Sequence, residues 1–551
     1  MRFLSHFRKI STKSNGFVIT TPIYYANAAP HLGHLYSSVI ADTINRFQKL
    51  TAVHNVNIFS TGTDEHGIKV LQAASIRDVP VAQYCDFISN EYKKLFDASG
   101  VDYTDFIRTT EGRHKDAVWK FWELLKSQNA IYKDSYAGWY CVQDETFLAN
   151  SQLKLHEGER YSAESGHPVE WTEEENYMFK LSEYQDEVLY WAKHENRVVP
   201  NKFNKILIEM LKEDLPNISI SRPSSRMQWG IDVLEDPSQK IYVWLDALVN
   251  YLTVTGYPNQ PKSWPPNVQV IGKDILKFHG IYWPAFLIAA GLEPPRQLLV
   301  HSHWTVDGHK MSKSKQNVID PMERAETYTI EGIRYFLLRE GVQHSDGNYS
   351  DTKIVRILNS ELADTFGNLL SRACAKTLNP DQIFPQIHND QLCELIKMDS
   401  CKVLIEKLTE VSVLCKQHYT AYNFHLVADA VMATLHASNN FFESAKPWEL
   451  KNGDEVAKRK LETIISLTIE SLRVSGIILW PIIPDFSEKL LRRLNIPDNQ
   501  RVWKDTKLFL RKVSHSLIDL ETNILFKRII LESEKQQKPK KSEKLSIKKK
   551  S

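Results

Sequence analysis

The strongest constraint on the fold is an alternation of strand and helix patterns that occurs twice along the chain. Residues 16–25 read GFVITTPIYY, a β-branched and aromatic run, and apolar residues at helical spacing follow after a turn. The strand-like run NVNIFST also precedes a helix pattern, and VQVIG and QLLVHS repeat the alternation much later. Strands that alternate with helices indicate a parallel sheet of the nucleotide-binding α/β type. The sequence therefore predicts a split Rossmann-like domain.

The two halves of this domain are separated by residues 130–216, a polar, Glu-rich segment with little periodicity, which predicts an inserted domain. After about Asp351 the strand patterns stop, and long amphipathic patterns over 354–378, 392–418, 421–442 and 455–479 predict an α-helical bundle. From Lys535 onward the chain has eight lysines and one glutamate, which predicts a disordered tail. Attraction to phosphates and simple solubilisation are both open as roles for this tail.

Composition excludes some classes of protein. With 42% hydrophobic residues, the 551-residue chain can bury a large core, so wholesale disorder is excluded. The six cysteines contain no CxxC pair, which favours reduced thiols over disulfides or a metal knuckle. The longest apolar run near the C-terminus, residues 476–483, is too short to span a bilayer, so we expect no membrane partner.

The first fifteen residues have the composition of a mitochondrial transit peptide. No acidic residue precedes Asp42, and the apolar residues Phe3, Leu4, Phe7 and Ile10 would share one helix face, largely apart from the basic residues Arg2, Arg8, Lys9 and Lys13. A basic, hydroxyl-rich, amphipathic start is typical of such leaders. We therefore expect the mature protein in the mitochondrial matrix, although an ordinary frayed terminus would also fit.

Two short motifs indicate the chemistry: Pro30-His31-Leu32-Gly33-His34, between a strand and a helix, and Lys310-Met311-Ser312-Lys313-Ser314, after a later strand. A glycine beside two histidines at a helix start lets a nucleotide approach the backbone and the positive helix end. A loop with two lysines and two serines offers charges and hydroxyls to phosphates. Alone, the first motif also fits a metal pair or solvated histidines, and the second a plain surface loop. Together they indicate ATP-dependent activation of a carboxylate.

With these motifs the sequence resembles the class I aminoacyl-tRNA synthetases, and over about residues 16–530 it resembles the methionyl-tRNA synthetases. The segments that carry this resemblance are Thr21-Pro22-Ile23-Tyr24-Tyr25-Ala26-Asn27, Gly62-Thr63-Asp64-Glu65-His66-Gly67, Ile218-Ser219-Ile220-Ser221-Arg222, Tyr242-Val243-Trp244-Leu245-Asp246-Ala247, Gly272-Lys273-Asp274, Lys277-Phe278-His279-Gly280 and Gly367-Asn368-Leu369-Leu370-Ser371-Arg372. The resemblance implies methionine activation with ATP and Mg²⁺, followed by transfer to tRNA(Met) for mitochondrial translation.

The resemblance also implies the site residues. Methionine would contact Ile23, Tyr25, Asp64, Trp244, Leu248, Tyr251 and His279, with Asp64 on the α-ammonium group. ATP would contact His31, Gly33, His34, Lys273, Asp274, Lys310, Ser312 and Lys313. The catalytic residues would be His31, His34, Lys310, Lys313 and Arg222. Taken singly, the aromatic residues would also fit core packing, and Asp64 a helix cap.

An anticodon-reading set is implied in the helical part. Asn368 and Arg372 lie four residues apart on one helix face, and Trp448 follows Lys446-Pro447. An aromatic plane that stacks an unpaired base, with Arg and Asn on base edges, is how proteins read single-stranded loops. A capping Asn, a solvated Arg and a core Trp are the alternative.

The inserted segment differs from that of many methionyl-tRNA synthetases, which hold zinc in cysteine-rich knuckles. Its only cysteine is Cys141, so we expect no structural metal. No dimerising C-terminal domain is recognised, which favours a monomer. Sister synthetases for valine, isoleucine or leucine carry larger insertions, and the cysteine enzyme needs zinc ligands that are missing here. A catalytically inactive RNA-binding protein is an alternative from another class. Such a protein would be free to lose both motifs and Asp64, and their presence here argues against it.

The expected organisation is a transit peptide, a catalytic domain in two halves around a connective insertion, a loop and stem-contact region, an anticodon-binding bundle and a basic tail. The expected boundaries are residues 1–15, 16–129, 130–216, 217–307, 308–353, 354–533 and 534–551.

Overall fold

The computed structural model describes residues 16–52, 56–142, 146–148, 150–156, 158–163, 165–259, 263–311, 317–508, 517–518 and 524–530. The predicted leader, residues 1–15, and the basic tail, residues 534–551, lie outside the described residues. Among the helices that the structure describes, none is long and apolar enough to cross a membrane.

The elements are numbered along the described chain. The strands are β1 (Gly16–Tyr25), β2 (Val56–Asp64), β3 (Asp105–Arg108), β4 (Ile131–Cys141), β5 (Thr146–Leu148), β6 (Leu153–His156), β7 (Glu159–Ser162), β8 (Glu170–Phe179), β9 (Val198–Val199), β10 (Ile218–Ser219), β11 (Ser221–Pro223), β12 (Asp232–Val233), β13 (Asp236–Ile241), β14 (Val268–Gly272), β15 (Leu298–His301), β16 (Trp304–Val306), β17 (His309–Lys310) and β18 (Gly347–Tyr349). The α-helices are α1 (Leu32–Thr51), α2 (Ile68–Ile76), α3 (Val81–Ala98), α4 (Gly112–Ser127), α5 (Gln185–Lys193), α6 (Asn201–Met210), α7 (Val243–Thr253), α8 (Trp283–Ala289), α9 (Pro321–Tyr328), α10 (Ile330–Glu340), α11 (Asp351–Ile357), α12 (Asn368–Ala373), α13 (Asn389–Leu395), α14 (Asp399–Thr420), α15 (Phe424–Ala445), α16 (Pro447–Leu450), α17 (Glu455–Leu479) and α18 (Pro484–Arg493). Two π-helical segments, Phe278–Tyr282 and Leu358–Gly367, lead directly into α8 and α12.

A six-stranded parallel sheet, with the order β3-β2-β1-β14-β15-β9, forms the centre of the catalytic part. β1 lies in its middle and is buried along most of its length, as a continuous β-branched and aromatic run predicts for a parallel strand. The strand order reverses between β1 and β14, because the chain proceeds from β1 to β2 on one side and from β14 to β15 on the other. The predicted α/β fold class is confirmed.

The segment 130–216 forms regular structure despite its irregular sequence pattern. β4 and β8 pair antiparallel along their length, and β5 and β10 complete a four-stranded sheet. The period of two is hidden in β8 because Thr172, Glu174 and Asn176 occupy buried positions. The buried Glu174 carboxylate forms an ion pair with Arg226, with a distance of 2.5 Å. β9, from the same segment, pairs with β15 and so anchors the insertion to the central sheet.

The chain after β18 is mostly helical among its described residues, and α17 has the predicted bounds. The single helix predicted over 392–418 is wrong, because a turn at residues 396–398 divides it into α13 and α14, and Met398 has an extended backbone. Neither Pro nor Gly marks this turn, so the sequence pattern runs through it. The helical run predicted to begin at residue 354 begins at Asp351, where Ser350 caps it, and ends at Ala373.

A buried ion pair joins α1 to α10, and its arginine also reaches the bundle. Arg334 of α10 contacts Asp42 of α1 at 2.6 Å, and both side chains are fully buried. Arg334 also donates hydrogen bonds to the carbonyls of Ser99 and Ile482, at 3.0 and 3.2 Å. One hydrophobic core continues from the central sheet through α1 into the bundle. The position of α1 is therefore fixed from both sides.

Candidate active site

The predicted site residues gather at the carboxyl edge of the central sheet. β1 ends at Tyr25 and β2 ends at Asp64, and these two residues are register partners. β14, on the other side of β1, ends at Gly272 and leads directly into Lys273. The strand order reverses between β1 and β14, and such a reversal opens a crevice at the carboxyl edge where α/β proteins bind nucleotides. The fold therefore brings the first motif and Lys273 to one crevice.

The HLGH motif (His31-Leu32-Gly33-His34) forms the first turn of α1. The Nδ1 atom of His31 accepts a hydrogen bond from the Gly33 N–H at 3.0 Å, and Nδ1 of His34 accepts one from the His31 N–H at 3.2 Å. Because a backbone N–H can only donate, each neutral imidazole must carry its proton on Nε2. The two rings are stacked, with centroids 3.7 Å apart. The helix start thus holds two Nε2–H donors side by side.

The His34 ring is kept neutral by its surroundings. Burial, together with the neighbouring His31 ring, holds the pKa of His34 well below its usual value. Gly33 is needed beside the rings, because a Cβ atom there would lie 2.9 Å from Cε1 of His31. A side chain at this position would displace the His31 ring from its cap.

Two tyrosines outside the predicted set of site residues support His34. The Tyr92 hydroxyl lies 3.1 Å from Nδ1 of His34, and its ring stacks on Tyr24 at 5.3 Å. Tyr24 in turn donates to the His34 carbonyl at 3.2 Å. Tyr92 comes from α3, so only the fold brings it to the motif.

The second motif lies only partly within the described residues. The backbone of Lys310 ends β17, whereas Ser312 and Lys313 lie outside the described residues, as does the Lys310 side chain. The chain is described again from Asn317, and the Ile319 carbonyl accepts a hydrogen bond from the Leu32 N–H at 3.1 Å. The segment that follows the motif is therefore attached to the first residue of α1.

Lys273 and Asp274 lie beyond the end of β14. The Lys273 ammonium contacts both carboxylate oxygens of Asp346, at 2.7 and 2.8 Å. Burial acts to raise the pKa of Asp346, but hydrogen bonds from Lys273 and from the His303 N–H lower it below its usual value. Asp274 lies 2.8 Å from Nε2 of His303. The structure therefore holds Lys273 against a carboxylate at the edge of the crevice.

The expected methionine pocket is built on α7. Trp244, Leu248 and Tyr251 follow one another at helical spacing and therefore share one face, and Leu248 and Tyr251 are fully buried. The Tyr251 hydroxyl lies 2.8 Å from Nε2 of His279, and Trp244 stacks on Phe278 at 3.6 Å. The structure thus brings four of the predicted methionine residues together, with Phe278 as an addition.

The His279 ring has both nitrogens engaged. Its Nδ1–H donates to the Ile275 carbonyl at 2.9 Å, so Nε2 accepts from the Tyr251 hydroxyl. Burial lowers the pKa of His279 to about 4, although the hydrogen bond to Ile275 acts in the opposite direction. Ile23 and Tyr25 are half-buried at the end of β1. The part of the pocket formed by Tyr251 and His279 is therefore neutral.

Arg222 is buried in an aromatic cage. Its guanidinium carbon lies 4.4 Å from the Tyr242 ring centre, and the rings of Tyr140 and Phe147 also face it. The guanidinium donates to the Ser219 hydroxyl at 2.8 Å and to the Ser221 carbonyl at 2.7 Å. Tyr242 is the residue that precedes α7, so Arg222 packs at the start of the pocket helix rather than on the HLGH motif.

Two of the predicted anticodon residues lie on α12, which contacts the end of α15. Arg372 of α12 contacts Glu443 at 2.6 Å, and its guanidinium lies over the Phe442 ring at 4.8 Å. Both partners lie at the end of α15, a few residues before Trp448, which is 40% exposed. Asn368, at the start of α12, is exposed. The exposed part of Trp448 is accessible to a ligand from solvent.

Comparisons with known proteins agree with this geometry. Residues 17–374 match the family model described as tRNA synthetases class I (M), and residues 397–544 match the anticodon binding domain of methionyl tRNA ligase. The mitochondrial methionine–tRNA ligase of Homo sapiens is 43% identical over 533 residues, which are 93% of this chain and 90% of that protein. The corresponding protein of Xenopus laevis is 46% identical over 497 residues, which are 89% and 88%.

A solved structure gives the same result. The crystal structure of Mycobacterium tuberculosis methionyl-tRNA synthetase bound by methionyl-adenylate has a TM-score of 0.86 and 35% identity, and the match covers 93% of this chain and 100% of that chain. The sequence resemblance, the fold and the site geometry thus point the same way. The chain belongs to the methionine–tRNA ligase family of class I tRNA synthetases.

Proposed function

We propose that this protein activates methionine with ATP and then transfers it to tRNA(Met). In the first step, a carboxylate oxygen of methionine bonds to the α-phosphorus of ATP, the bond to the β-phosphate breaks, and pyrophosphate leaves. In the second step, a ribose hydroxyl of the 3′-terminal adenosine attacks the methionyl carbonyl, and AMP leaves. The bound methionyl-adenylate named for the Mycobacterium tuberculosis structure is the product of such a first step.

The observation that carries this proposal is the geometry of the HLGH motif at the strand-order reversal. His31 and His34 offer paired Nε2–H donors, because each Nδ1 atom is engaged by a backbone N–H. Donors fixed before the reaction stabilise charge that grows on the α-phosphate oxygens in the transition state. Gly33 leaves the room that the His31 ring occupies beside the helix start. No protein nucleophile is needed, since the substrate carboxylate attacks.

The second motif would complete the phosphate site. We infer that Lys310, Ser312 and Lys313 contact the β- and γ-phosphates and the departing pyrophosphate. The support is the hydrogen bond between Ile319 and Leu32, which attaches the segment after the motif to the start of α1. Ammonium groups near this point would balance the charge of the leaving group.

Methionine recognition would rest on shape and on soft contacts. Trp244, Leu248, Tyr251 and His279 supply aromatic and apolar surface, which suits a polarisable thioether. The methionine side chain is uncharged, and a pocket with neutral His279 matches it. We propose that Asp64 binds the α-ammonium group, and that Tyr25 and Ile23 close the pocket at the end of β1.

The remaining predicted contacts are also part of the proposal. Lys273 and Asp274 would contact the adenosine side of ATP from the end of β14, which requires Lys273 to exchange Asp346 for the nucleotide. Arg222 would act near the reacting carboxylate from its place beside Tyr242. The three rings around the guanidinium restrict the rotamers that Arg222 can adopt.

Methionine-dependent exchange of pyrophosphate into ATP tests the proposed function. Purified protein is incubated with labelled pyrophosphate, ATP and methionine, and labelled ATP is measured. We expect exchange that requires methionine and is not supported by valine, isoleucine, leucine or cysteine. Exchange with none of these amino acids would show an RNA-binding protein without catalysis, and exchange with another one would show a sister specificity.

We expect activity to depend on magnesium but not on zinc. We propose that Mg²⁺ enters with ATP and is held mainly by phosphate oxygens. In the part of the chain that the structure describes, there is no group of three or more His, Cys, Asp or Glu residues placed to hold a metal. Protein that is treated with a chelator and dialysed should regain full exchange when Mg²⁺ alone is added. Elemental analysis that finds about one zinc ion per chain would contradict this.

The family relatives are named mitochondrial, which supports a mitochondrial location, and we propose the matrix. Residues 1–16 fused before a fluorescent reporter should carry it into mitochondria. A reporter in the matrix should then resist added protease after the outer membrane is opened, because the inner membrane still encloses it. The matched control replaces Arg2, Arg8, Lys9 and Lys13 by glutamine, which should leave the reporter in the cytosol. A reporter that stays in the cytosol with the native leader would refute the proposal.

A further inference from the structure

Helix α7 has a second, polar face behind the methionine pocket. Asp246, Asn250 and Thr253 follow one another at helical spacing, and all three are buried. Trp244 and Leu248, on the pocket face, are each two residues from a member of this polar face. Contacts to the polar face therefore help to fix the position of the pocket residues on α7.

Asp246 is held by two buried histidines. One carboxylate oxygen lies 2.7 Å from Nδ1 of His66, and the other lies 2.8 Å from Nε2 of His114. An ionised carboxylate can only accept, so both ring nitrogens donate, and hydrogen bonds to a charged group are strong. Burial acts to raise the pKa of Asp246, but the two histidines lower it to about 2. The carboxylate is therefore ionised in the core.

The two histidines lie in segments that follow the neighbouring strands β2 and β3. His66 is two residues beyond Asp64, the last residue of β2, and His114 lies in the first turn of α4, after β3. Asp246 thus ties α7 to the carboxyl edge of the central sheet at two points. His114 also lies 3.0 Å from the Thr253 hydroxyl, so it contacts the polar face of α7 twice.

The segment that follows Asp64 is also held by contacts that do not involve Asp246. Glu65, fully buried, accepts hydrogen bonds from Nε of Arg108 at 2.7 Å and from the Thr63 hydroxyl at 2.9 Å. The Gly67 N–H donates to the Trp229 carbonyl at 3.0 Å. Arg108 thus holds Glu65 to β3, Trp229 holds Gly67, and the bond between His66 and Asp246 links the same segment to α7.

The hydrogen bond between His66 and Asp246 connects the two segments proposed to bind the opposite ends of methionine. Asp64, proposed for the α-ammonium group, is two residues from His66, and Trp244, proposed for the side chain, is two residues from Asp246. We propose that Asp246, through His66 and His114, is a positioning residue that fixes the distance between the ammonium site and the side-chain pocket, and so selects an amino acid of the length of methionine. This inference rests on the proposed function.

The test compares two substitutions at His66 by pyrophosphate exchange. In His66→Asn the side-chain amide can donate from nearly the position of Nδ1, whereas in His66→Leu the donor is lost and the volume is kept. We expect His66→Leu to raise KM for methionine about tenfold with KM for ATP within about twofold, because a hydrogen bond to a buried charge is lost. His66→Asn should stay within about threefold of the wild type.

Substrate length provides a readout that a general loss of stability would not change. Ethionine is one methylene longer than methionine, and S-methylcysteine is one methylene shorter. In His66→Leu, the preference for methionine over ethionine, measured as the ratio of kcat/KM, should fall about tenfold. Asp246→Ala should show the same loss of preference. If Asp246→Ala does not fold, the comparison of His66→Leu with His66→Asn still tests the proposal.

Glu470→Gln provides the control for a lost buried interaction. It breaks the buried pair between Glu470 and Arg473 in α17, far along the chain from the pocket, and should lower the melting temperature with KM for methionine and length preference unchanged. The inference is overturned if His66→Leu and His66→Asn behave alike, if KM rises equally for methionine and ATP, or if length preference is unchanged. A wild-type protein without exchange would instead overturn the proposed function, and this inference with it.

Discussion

Replacing His34 by alanine is expected to slow methionyl-adenylate formation about a hundredfold and to change KM for methionine by less than about threefold. The reason is the fixed direction of the ring. The His31 N–H binds its Nδ1 atom, so the Nε2–H donor must face outward from the helix start. A donor aimed at the α-phosphate interacts most strongly when charge grows there, so its loss raises the activation barrier by about 3 kcal/mol.

The control for this prediction is His34→Gln, whose amide can place a donor near the position of Nε2. We expect it to retain several times more activity than His34→Ala. Lys313→Ala should show a similar loss in rate, because it would remove a cation from the leaving pyrophosphate. Single-turnover measurements of adenylate formation separate the chemical step from product release. Near-normal rates in His34→Ala would refute the proposed role of the HLGH motif.

The protein should also tolerate the His34 substitution structurally. The ring contacts Tyr24 and Tyr92 but belongs to the edge of the core, so we expect a loss of about 1–2 kcal/mol in the free energy of unfolding. A melting temperature lowered by only a few degrees, together with the large loss in rate, would separate the catalytic role from a packing role.

Those parts of the fold that depend on local pattern were predictable from the sequence. β1, β14 and α17 have the predicted bounds, because each has a continuous or periodic apolar pattern that its neighbours along the chain do not interrupt. The HLGH motif was placed correctly between a strand and a helix. The break between α13 and α14 was missed, because it depends on packing rather than on Pro or Gly.

The support of the site was not predictable in the same way. Asp246 meets His66 and His114, which are more than 130 residues away along the chain, and Tyr92 reaches His34 from another helix. Such contacts depend on the sheet order, which no local pattern contains. A partial signal existed, since His66 and Asp246 lie within segments that had been noted for Asp64 and Trp244. Polar residues that accompany expected ligands in one motif are therefore candidates for positioning roles.

Replacing Trp448 by alanine is expected to spare adenylate formation and to lower the efficiency of tRNA charging about tenfold to a hundredfold. Trp448 is 40% exposed, so its ring is available to an unpaired base. Removing an aromatic partner from a stacked base costs about 1–3 kcal/mol. The proposed site of amino-acid activation lies at the edge of the central sheet, and Trp448 belongs to the helical bundle. Adenylate formation should therefore not change.

Arg372→Ala and Asn368→Ala are expected to lower charging by similar factors. Arg372 contacts Glu443 at 2.6 Å, and the two side chains are 35% and 58% exposed. A pair so exposed contributes about 0–1 kcal/mol, whereas a bidentate contact to a base edge contributes about 1–3 kcal/mol. RNA can therefore displace Glu443 at little cost, and the pair would orient Arg372 until tRNA arrives.

Glu443→Gln distinguishes reading of the anticodon from bracing of the bundle. If Arg372 reads a base, this substitution leaves the reader in place, and charging should stay within about threefold of the wild type. If Arg372 only holds α12 against α15, then Glu443→Gln and Arg372→Ala should lower the melting temperature alike and reduce exchange and charging in parallel.

Combining Trp448→Ala with Arg372→Ala should lower charging about a thousandfold if the two losses add, which neighbours on one RNA loop need not do. Exchange that falls as far as charging would place Trp448 in the structural support of the bundle and refute the anticodon role.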